Sequence, residues 1–330
     1  MTAAELLAEL RKLDVHVALD GDRLRLDAPA GVLTEAHKQD LTRRKPEVIA
    51  FLRDAQQLAA QQRAVVPLQP AGARTPIFAV AGHNGDVFAY REIVRQLGPD
   101  QPFFGLQPPG LEEGGDPLTR VEDIAGYFAE QIRTLRPAGP MSIAGYCAGG
   151  TVAFELARQL ADAGAAVTNL ILFGAPHCTS YRPLRVGIAK ARYYTGRSVT
   201  HARALRAMPA AERTRYLGER LRTVMPHKAE EVSDPVLIRR GAVEEATMAA
   251  VRAYSPKPSG NHIDFMIPSQ SWTRSWARPL HWSRVAASTA VFVGPDDCSG
   301  DVMLLPGHAA TFAAFVGEAQ QRHARGGAPC

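Results

Sequence analysis

The chain has 330 residues, which at about 150 residues per domain is enough for two domains, or for one large domain with an appendage. Hydrophobic residues make up 46% and charged residues 22%, values that fit a folded globular protein and exclude a wholly disordered or collagen-like chain. The 38 basic and 33 acidic residues leave a net charge of +5, too small and too evenly spread to predict a nucleic-acid-binding surface.

The hydropathy and the spacing of the cysteines predict the cellular compartment of the protein. The longest apolar runs, such as residues 170–173 and 286–293, are far shorter than the roughly 20 residues that a membrane helix needs. The N-terminus lacks the basic, apolar and small-residue order of a secretory signal, so a cytoplasmic protein is expected. The four cysteines show no metal-ligand spacing, which predicts free thiols in a reducing compartment and no metal site.

Residues 1–57 predict a small α+β module. The module starts with leucines at helical spacing. Two runs in which apolar and polar residues alternate then flank an Asp-Gly-Asp turn, which predicts a β-hairpin. Thr34 precedes an acidic first turn, and Pro46 occupies a favoured first helical position, so two helices should complete the module. The predicted order is αββαα, a pattern that also fits an N-terminal extension packed on the main domain.

The rest of the chain predicts an α/β domain. Residues 58–75, rich in Ala, Gln and Pro, are expected to form a linker. Apolar runs without alternation then recur between helical stretches, which is typical of a mostly parallel sheet covered on both faces. The expected strands are at residues 77–80, 103–106, 141–144, 170–173 and 263–267.

One motif suggests nucleophilic catalysis. An apolar run meets Gly145-Tyr146-Cys147-Ala148-Gly149, and a helical stretch follows at once, as in the G-x-S-x-G nucleophile elbow but with cysteine for serine. The glycines suit a strained strand-to-helix turn, and the helix N-terminus beside the sulfur should favour a thiolate. The alternative is a buried cysteine in a glycine-rich turn.

The partners of such a nucleophile are sought near strand ends. Residues 302–305 predict a late strand, and His308 follows them in a glycine-containing loop before a final helix, so His308 is the candidate base. His177 and His83 lie near other strand ends and are second choices. The glycine-rich loop after the first strong strand predicts an oxyanion hole that combines the backbone N–H groups of His83 and Ala148.

The N-terminal run "LLAELRKLDVHVALDGDRLRLDAPAGVLTEAHKQDLTRRKPEVIAFL" resembles the tubulysin-type αββαα docking domain of non-ribosomal peptide synthetases. The resemblance implies that residues 1–57 capture the C-terminal tail of an upstream synthetase, which adds as a strand to the exposed edge of the hairpin. Arg23, Arg25 and Lys45 would then meet acidic residues of the tail. The implied partners are that synthetase and its carrier protein domain.

Residues from about 67 to 330 resemble the thioesterase domains of non-ribosomal peptide and polyketide synthases. The matching passages are "IFAVAGHNGDVFAYREIVRQLGPDQPFFGLQPPG", "VEDIAGYFAEQI", "GPMSIAGYCAGGTVAFELARQL" and "LLPGHAATFAAF". The resemblance implies an α/β-hydrolase fold over residues 76–330, with a helical lid at about 180–260. It also implies a substrate carried on the phosphopantetheine of a partner carrier protein, with no cofactor bound to the chain itself.

Departures from the family pattern concern the catalytic groups. Family members usually have serine at the position of Cys147 and an acid at the position of Gly174, and they show His-Pro where this chain has residues 81–82. Residues 269–270, at the other usual place for an acid, are Ser and Gln.

Asp297 is the candidate acid among three aspartates at residues 296–301. The same segment also fits an added hairpin, in which the aspartates would only form turns. The span before His308 is too short for a crossover helix. A Cys147–His308 dyad is the alternative to a Cys147, Asp297, His308 triad, because a thiol ionises without an oriented base more readily than a hydroxyl does.

The combined prediction is a docking-dependent thioesterase that releases an acyl or peptidyl chain. Cys147 would take the chain from the carrier thioester, and an amine, a hydroxyl or water would then accept it. A cysteine-bound acyl group keeps thioester reactivity, which favours amine transfer or ring closure over simple hydrolysis. The alternatives are an editing hydrolase that clears stalled carriers and a catalytically silent docking adaptor.

Overall fold

The computed structural model describes residues 6–7, 10, 15–20, 23–27, 33–60, 64–111, 115–136, 138–182, 235–275 and 279–324. The described residues form two compact units, one ending at Asp54 and the other starting at Ala55. Most of the predicted lid at 180–260 lies outside the described residues. No helix in the described ranges is both long enough and apolar enough to cross a bilayer.

The N-terminal unit contains an antiparallel hairpin and two helices. Thr34 caps the first of these helices by accepting a hydrogen bond from the backbone N–H of His37, and residues 6, 7 and 10 are helical. Leu6, Leu10 and Val48 are fully buried in a small apolar core. The elements are β1 (His16–Asp20), β2 (Arg23–Asp27), α1 (Glu35–Arg43) and α2 (Lys45–Ala60).

The second unit is built on a seven-stranded sheet with the order β3-β5-β4-β6-β7-β8-β9. The edge strand β3 is antiparallel to β5, and all other neighbours are parallel. The strands are β3 (Val65–Gln69), β4 (Ile77–Val80), β5 (Phe103–Leu106), β6 (Met141–Tyr146), β7 (Val167–Phe173), β8 (His262–Ile267) and β9 (Ser288–Val293).

Helices cover both faces of this sheet. Phe128, Phe154 and Trp282 fill the core on one face, where α4 packs on α5, while Ile93 and Phe312 fill the core on the other, where α3 packs on α8. The helices are α3 (Arg91–Leu97), α4 (Val121–Leu135), α5 (Gly149–Asp162), α6 (Pro235–Ala253), α7 (Gln270–Ser275) and α8 (Pro306–Ala324). This arrangement confirms the predicted α/β-hydrolase fold.

Three local predictions are corrected by the structure. The predicted linker 58–75 contains β3, which is an edge strand. Its sequence shows no clear strand pattern, because Pro67 lies within it and its residues are buried to different degrees. Residues 302–305 form turns instead of the strand predicted before His308. Their apolar side chains serve the core beside α8, where Met303 and Leu304 are buried. The last strand in the described part of the chain is β9, which is parallel to β8, so the prediction of an added hairpin is also wrong.

Candidate active site

The candidate nucleophile occupies a sharp turn between strand and helix. Strand β6 ends at Tyr146 and α5 begins at Gly149, with Cys147 between them at φ 53°. Cys147 is the sole non-glycine residue with positive φ in the described part of the chain. A left-handed conformation costs an L-residue about 1–2 kcal/mol, so the surrounding contacts must hold it. The backbone N–H of Cys147 donates to the Phe173 carbonyl at 3.0 Å, and the Cys147 carbonyl accepts from Gly150 at 3.1 Å.

Close backbone approach explains the glycines of the motif. A Cβ on Gly145 would lie 2.6 Å from the Cβ of Ala153, and a Cβ on Gly149 would lie 1.9 Å from the Ala81 carbonyl oxygen. The first contact lets α5 pack directly on β6, and the second brings the loop after β4 against the start of α5. The loop that was predicted to supply an oxyanion-hole donor therefore lies beside the elbow.

We expect Gly149→Ala to destabilise the fold by about 3 kcal/mol or more, because its Cβ meets backbone that cannot swing away, whereas ordinary overpacking costs about 1–3 kcal/mol. Gly241→Ala is the matched control, since Gly241 lies in α6 and a Cβ there meets no atom within 4 Å. That change should stabilise the protein by up to about 1 kcal/mol. Chemical denaturation of the three proteins measures both effects, and equal unfolding midpoints would contradict the tight elbow.

The sulfur of Cys147 is half-buried and lies 3.7 Å from the Tyr181 hydroxyl. Burial raises the pKa of the Cys147 thiol, while the hydrogen bonds from the Tyr181 hydroxyl and the Ala148 backbone N–H lower it, and the negative charge of Asp301 raises it further. The net effect is a raised pKa. The expected thiolate is therefore not favoured, because desolvation outweighs the two hydrogen bonds that lower the pKa, and we expect attack by this sulfur to need a proton acceptor.

A hydrogen bond ties the elbow to the loop between β9 and α8. The Tyr146 hydroxyl donates to the Gly300 carbonyl at 2.7 Å, next to Asp301 in the chain. The same Tyr146 ring lies 3.4 Å from the position of a Cβ on Gly82. Tyr146 thus connects the elbow with both loops in which catalytic partners were sought.

The candidate oxyanion-hole residues lie in the expected loops. The Ala148 backbone N–H faces the Cys147 sulfur. His83 is the second residue of a turn closed by a 3.1 Å hydrogen bond from the Gly85 N–H to the Gly82 carbonyl. The side chain of His83 points to α6, where its Nε2 lies 3.4 Å from a carboxylate oxygen of Glu244.

The structure does not assemble the predicted triad. His308 is half-buried in the first turn of α8, where its backbone N–H donates to the Leu305 carbonyl at 3.0 Å. Asp297 is exposed in the turn after β9. Among the residues that the structure describes, no hydrogen bond joins the His308 ring to Cys147 or to Asp297. Asp301, another aspartate of the same late segment, is the carboxylate whose negative charge raises the pKa of the Cys147 thiol.

At the position after β7 where an acid was expected from the family pattern, the space is occupied by a side chain from another loop. Gly174 has φ +46°, and a Cβ there would lie 2.9 Å from the sulfur of Met303. Met303 belongs to the loop after β9 and is fully buried. At the tip of β8, Ser269 is buried and its hydroxyl lies 3.0 Å from that of Ser271. Neither usual place holds a carboxylate, as the sequence predicts.

Sequence reasoning missed Tyr181, whose hydroxyl lies 3.7 Å from the Cys147 sulfur. It lies in a short 3-10 helix, Cys178–Tyr181, whose N-terminus is capped by the His177 ring accepting from the Thr179 N–H. His177 is buried, and its ring lies 4.7 Å from that of Trp282. His177 therefore has a structural role beside the site, and no motif in the sequence marks Tyr181.

Comparison with known proteins identifies both units. Residues 75–227 match the thioesterase domain family, a match that stops before His308, and residues 4–54 match the TubC N-terminal docking domain family. The chain is 40% identical over 122 residues to indigoidine synthase from Dickeya dadantii and 33% identical over 113 residues to polyketide synthase PksR from Bacillus subtilis. These matches cover 37% and 34% of this chain but only 8% and 4% of those proteins.

A solved structure supports the fold. The NocB thioesterase domain from the nocardicin cluster superposes with a TM-score of 0.55 at 18% identity, over 78% of this chain and 99% of that domain. This likeness bears on the fold alone. The chain therefore contains a segment, residues 75–227, that matches the thioesterase domain family, and this segment follows in sequence one that matches the TubC N-terminal docking domain family, residues 4–54.

Proposed function

We propose that this chain releases an acyl or peptidyl chain from the phosphopantetheine arm of an assembly-line carrier protein through an acyl-enzyme on Cys147. The strained conformation of Cys147 at the strand-to-helix elbow carries this proposal, because such turns hold the nucleophile of α/β-hydrolases above the sheet. The synthase names of the curated relatives support the same setting.

The chemistry begins with attack of the Cys147 sulfur on the carrier thioester. A new thioester bond forms to Cys147, the carbonyl–sulfur bond to phosphopantetheine breaks, and the pantetheine thiol leaves with the proton taken from Cys147. The backbone N–H groups of Ala148 and His83 would stabilise the oxyanion of the tetrahedral intermediate. One thioester replaces another, so the step is nearly isoenergetic.

His308 is the proposed proton carrier, with Asp297 dispensable. The raised pKa of the Cys147 thiol makes a base necessary at neutral pH, and catalytic hydrogen bonds are often long before substrate is bound. Asp297 is exposed and makes no described contact with His308, which supports a Cys147–His308 dyad.

The acceptor of the acyl group follows from the thioester chemistry. A cysteine-bound acyl group is more reactive toward amines than the ester that a serine would form, so an amine is the proposed acceptor, from the chain itself or from a second molecule. A hydroxyl and water are the slower alternatives. Simple clearance of stalled carriers needs no dedicated partner, and the docking domain therefore weighs against an editing role.

The docking domain is proposed to recruit the upstream synthetase. In the described part of the N-terminal unit, β1 and β2 pair only with each other, so the hairpin can accept a further strand at its edge. Arg23 on β2 and Lys45 at the start of α2 are exposed, and Arg25 is half-buried. These basic residues favour an acidic C-terminal tail as the added strand.

Adduct formation measured against pH tests the proposed site. A pantetheine thioester should acylate Cys147, seen as a mass increase of the intact protein that localises to the Cys147 peptide. Because the pKa of Cys147 is raised, unassisted acylation should rise with pH until the thiol ionises. In His308→Gln, acylation should fall at neutral pH and approach the wild-type rate at high pH, where hydroxide removes the proton.

Asp297→Asn is the matched control and should stay within about tenfold of the wild type, since only an oriented triad suffers a large loss from this change. A large loss at Asp297 with the fold intact would restore the triad. Wild-type acylation in His308→Gln at neutral pH would remove His308 from the mechanism. A chain that forms no adduct under any of these conditions would be a silent adaptor.

A further inference from the structure

Three potential metal ligands lie close together at the amino end of the strands, which is the end of the sheet opposite the elbow. His262 is the first residue of β8, and Asp264, two positions on, points to the same face of the strand. His323 lies in the last turn of α8. Cys147 follows the carboxyl end of β6, whereas these residues lie at the amino end of the parallel strand β8, so the cluster is separate from the candidate active site.

The distance from each histidine nitrogen to the nearer Asp264 oxygen is close to the distance between two ligand atoms of one tetrahedral ion. His262 Nε2 lies 3.4 Å from Asp264 Oδ1, and His323 Nε2 lies 3.3 Å from Asp264 Oδ2. The candidate ligand atoms all lie within 4.8 Å of one another. Zinc binds nitrogen and oxygen ligands at about 2.0–2.2 Å, which places neighbouring ligand atoms of a tetrahedron about 3.3–3.6 Å apart.

Buried atoms in the cluster have no hydrogen-bond partner among the described residues. Asp264 is fully buried, and its Oδ1 and the Nε2 of His262 lie 3.4 Å from each other without the geometry of a hydrogen bond to each other or to another described group. The other atoms of these groups are held by neighbours, since His262 Nδ1 lies 2.7 Å from the Ser288 hydroxyl and the Asn169 amide donates to Asp264 Oδ2 at 3.1 Å. Such supporting hydrogen bonds orient metal ligands.

The cluster also attracts a cation from the protein itself. The Arg322 guanidinium lies 3.7 Å from Asp264 Oδ1 and equally near to Glu318. It lies over the ring of Phe292 at 5.0 Å, and 31% of its side chain is exposed. Because Arg322 is partly in solvent and has other partners, it can give way to an ion that binds the buried carboxylate directly.

We propose that His262, Asp264 and His323 bind a divalent transition-metal ion of the zinc class, with a fourth position left to water. Imidazole and carboxylate ligands suit such ions. The ion would connect the C-terminal turn of α8 to the amino end of β8, so its expected role is to stabilise the fold. The cysteine spacing on which the sequence prediction of no metal site rested does not bear on a site made of His and Asp.

Metal titration of the full-length protein tests this proposal. Zn²⁺ should bind with one equivalent of high affinity by calorimetry and raise the thermal unfolding midpoint. Co²⁺ should give visible bands of a low-symmetry site without the sulfur-to-cobalt charge transfer that binding to Cys147 would produce. His323→Gln, at a half-buried position in a last helical turn, should weaken Zn²⁺ binding by about 100-fold or more, beyond the 10–100-fold cost of losing a supporting contact.

Three further variants make the result interpretable. Asp264→Asn should also lose binding yet fold, since its amide can donate to His262 Nε2, while His37→Gln, which changes a histidine of the N-terminal unit, should bind Zn²⁺ as the wild type does. Arg322→Gln should leave binding equal or tighter, because it removes a competing cation. The absence of high-affinity binding, or equal binding in His323→Gln and Asp264→Asn, would reduce the cluster to an ion-pair network and overturn the proposal.

Discussion

Cys147→Ala should lower chain release by about three orders of magnitude or more, because the acyl-enzyme cannot form without the sulfur. The fold should persist, since alanine is no larger than cysteine and meets the same left-handed backbone at φ 53°. Turnover of a carrier-bound thioester, together with intact-protein mass after exposure to the same substrate, measures the loss.

Cys147→Ser separates the role of sulfur from that of the elbow. A serine ester is less reactive toward amines than a cysteine thioester, so this variant should acylate more slowly and give a larger share of hydrolysed product. Cys178→Ser is a suitable control, because Cys178 is another free cysteine near the site and is buried with its sulfur against the Tyr254 carbonyl. Release by Cys147→Ala at the wild-type rate would exclude the covalent mechanism.

Reversing the charge of basic residues in the docking domain should lower activity on carrier-bound substrates without lowering activity on free ones. Arg23→Glu combined with Lys45→Glu changes two exposed side chains, so the fold should be kept. Activity on a substrate loaded on the upstream carrier should fall by about tenfold to a hundredfold, since docking supplies a high effective concentration. Activity on a small pantetheine thioester should not change.

Lys38→Glu provides the control for a general charge effect, because Lys38 is an exposed lysine of α1 that pairs with Glu35. It should leave both activities near the wild type. The affinity for a peptide of the upstream C-terminal tail, measured directly, should follow the same order. If the double variant and the wild type turn over the carrier-bound substrate equally, the basic residues of the hairpin and α2 do not recruit the partner.

The elements that sequence reasoning predicted well share one property, which is that local pattern and burial agree. The strands β4 to β8 are apolar because both faces of the sheet are covered, and the elbow glycines are required by contacts as short as 1.9 Å between a Cβ and backbone. These constraints act on neighbouring residues, so the sequence shows them directly.

The failures occurred where one pattern has two physical causes. Residues 302–305 are apolar because Met303 and Leu304 enter the core beside α8, and the same run fits a strand. Pro67 lies in β3 because an edge strand can omit a backbone donor. Tyr181 and Asp301, the two side chains outside the motif that act on the Cys147 thiol, come from segments far apart in the chain, and no local pattern predicts either of them.

The backbone of Cys147 implies a conflict between stability and activity. Glycine at position 147 would adopt φ 53° without strain. A protein selected only for stability, such as a silent adaptor, would therefore be more stable with glycine than with cysteine at this position. Persistence of a reactive side chain at the most strained position of the described backbone is a feature expected of an enzyme. A search for stabilising variants should therefore recover Cys147→Gly, and every such variant should be inactive.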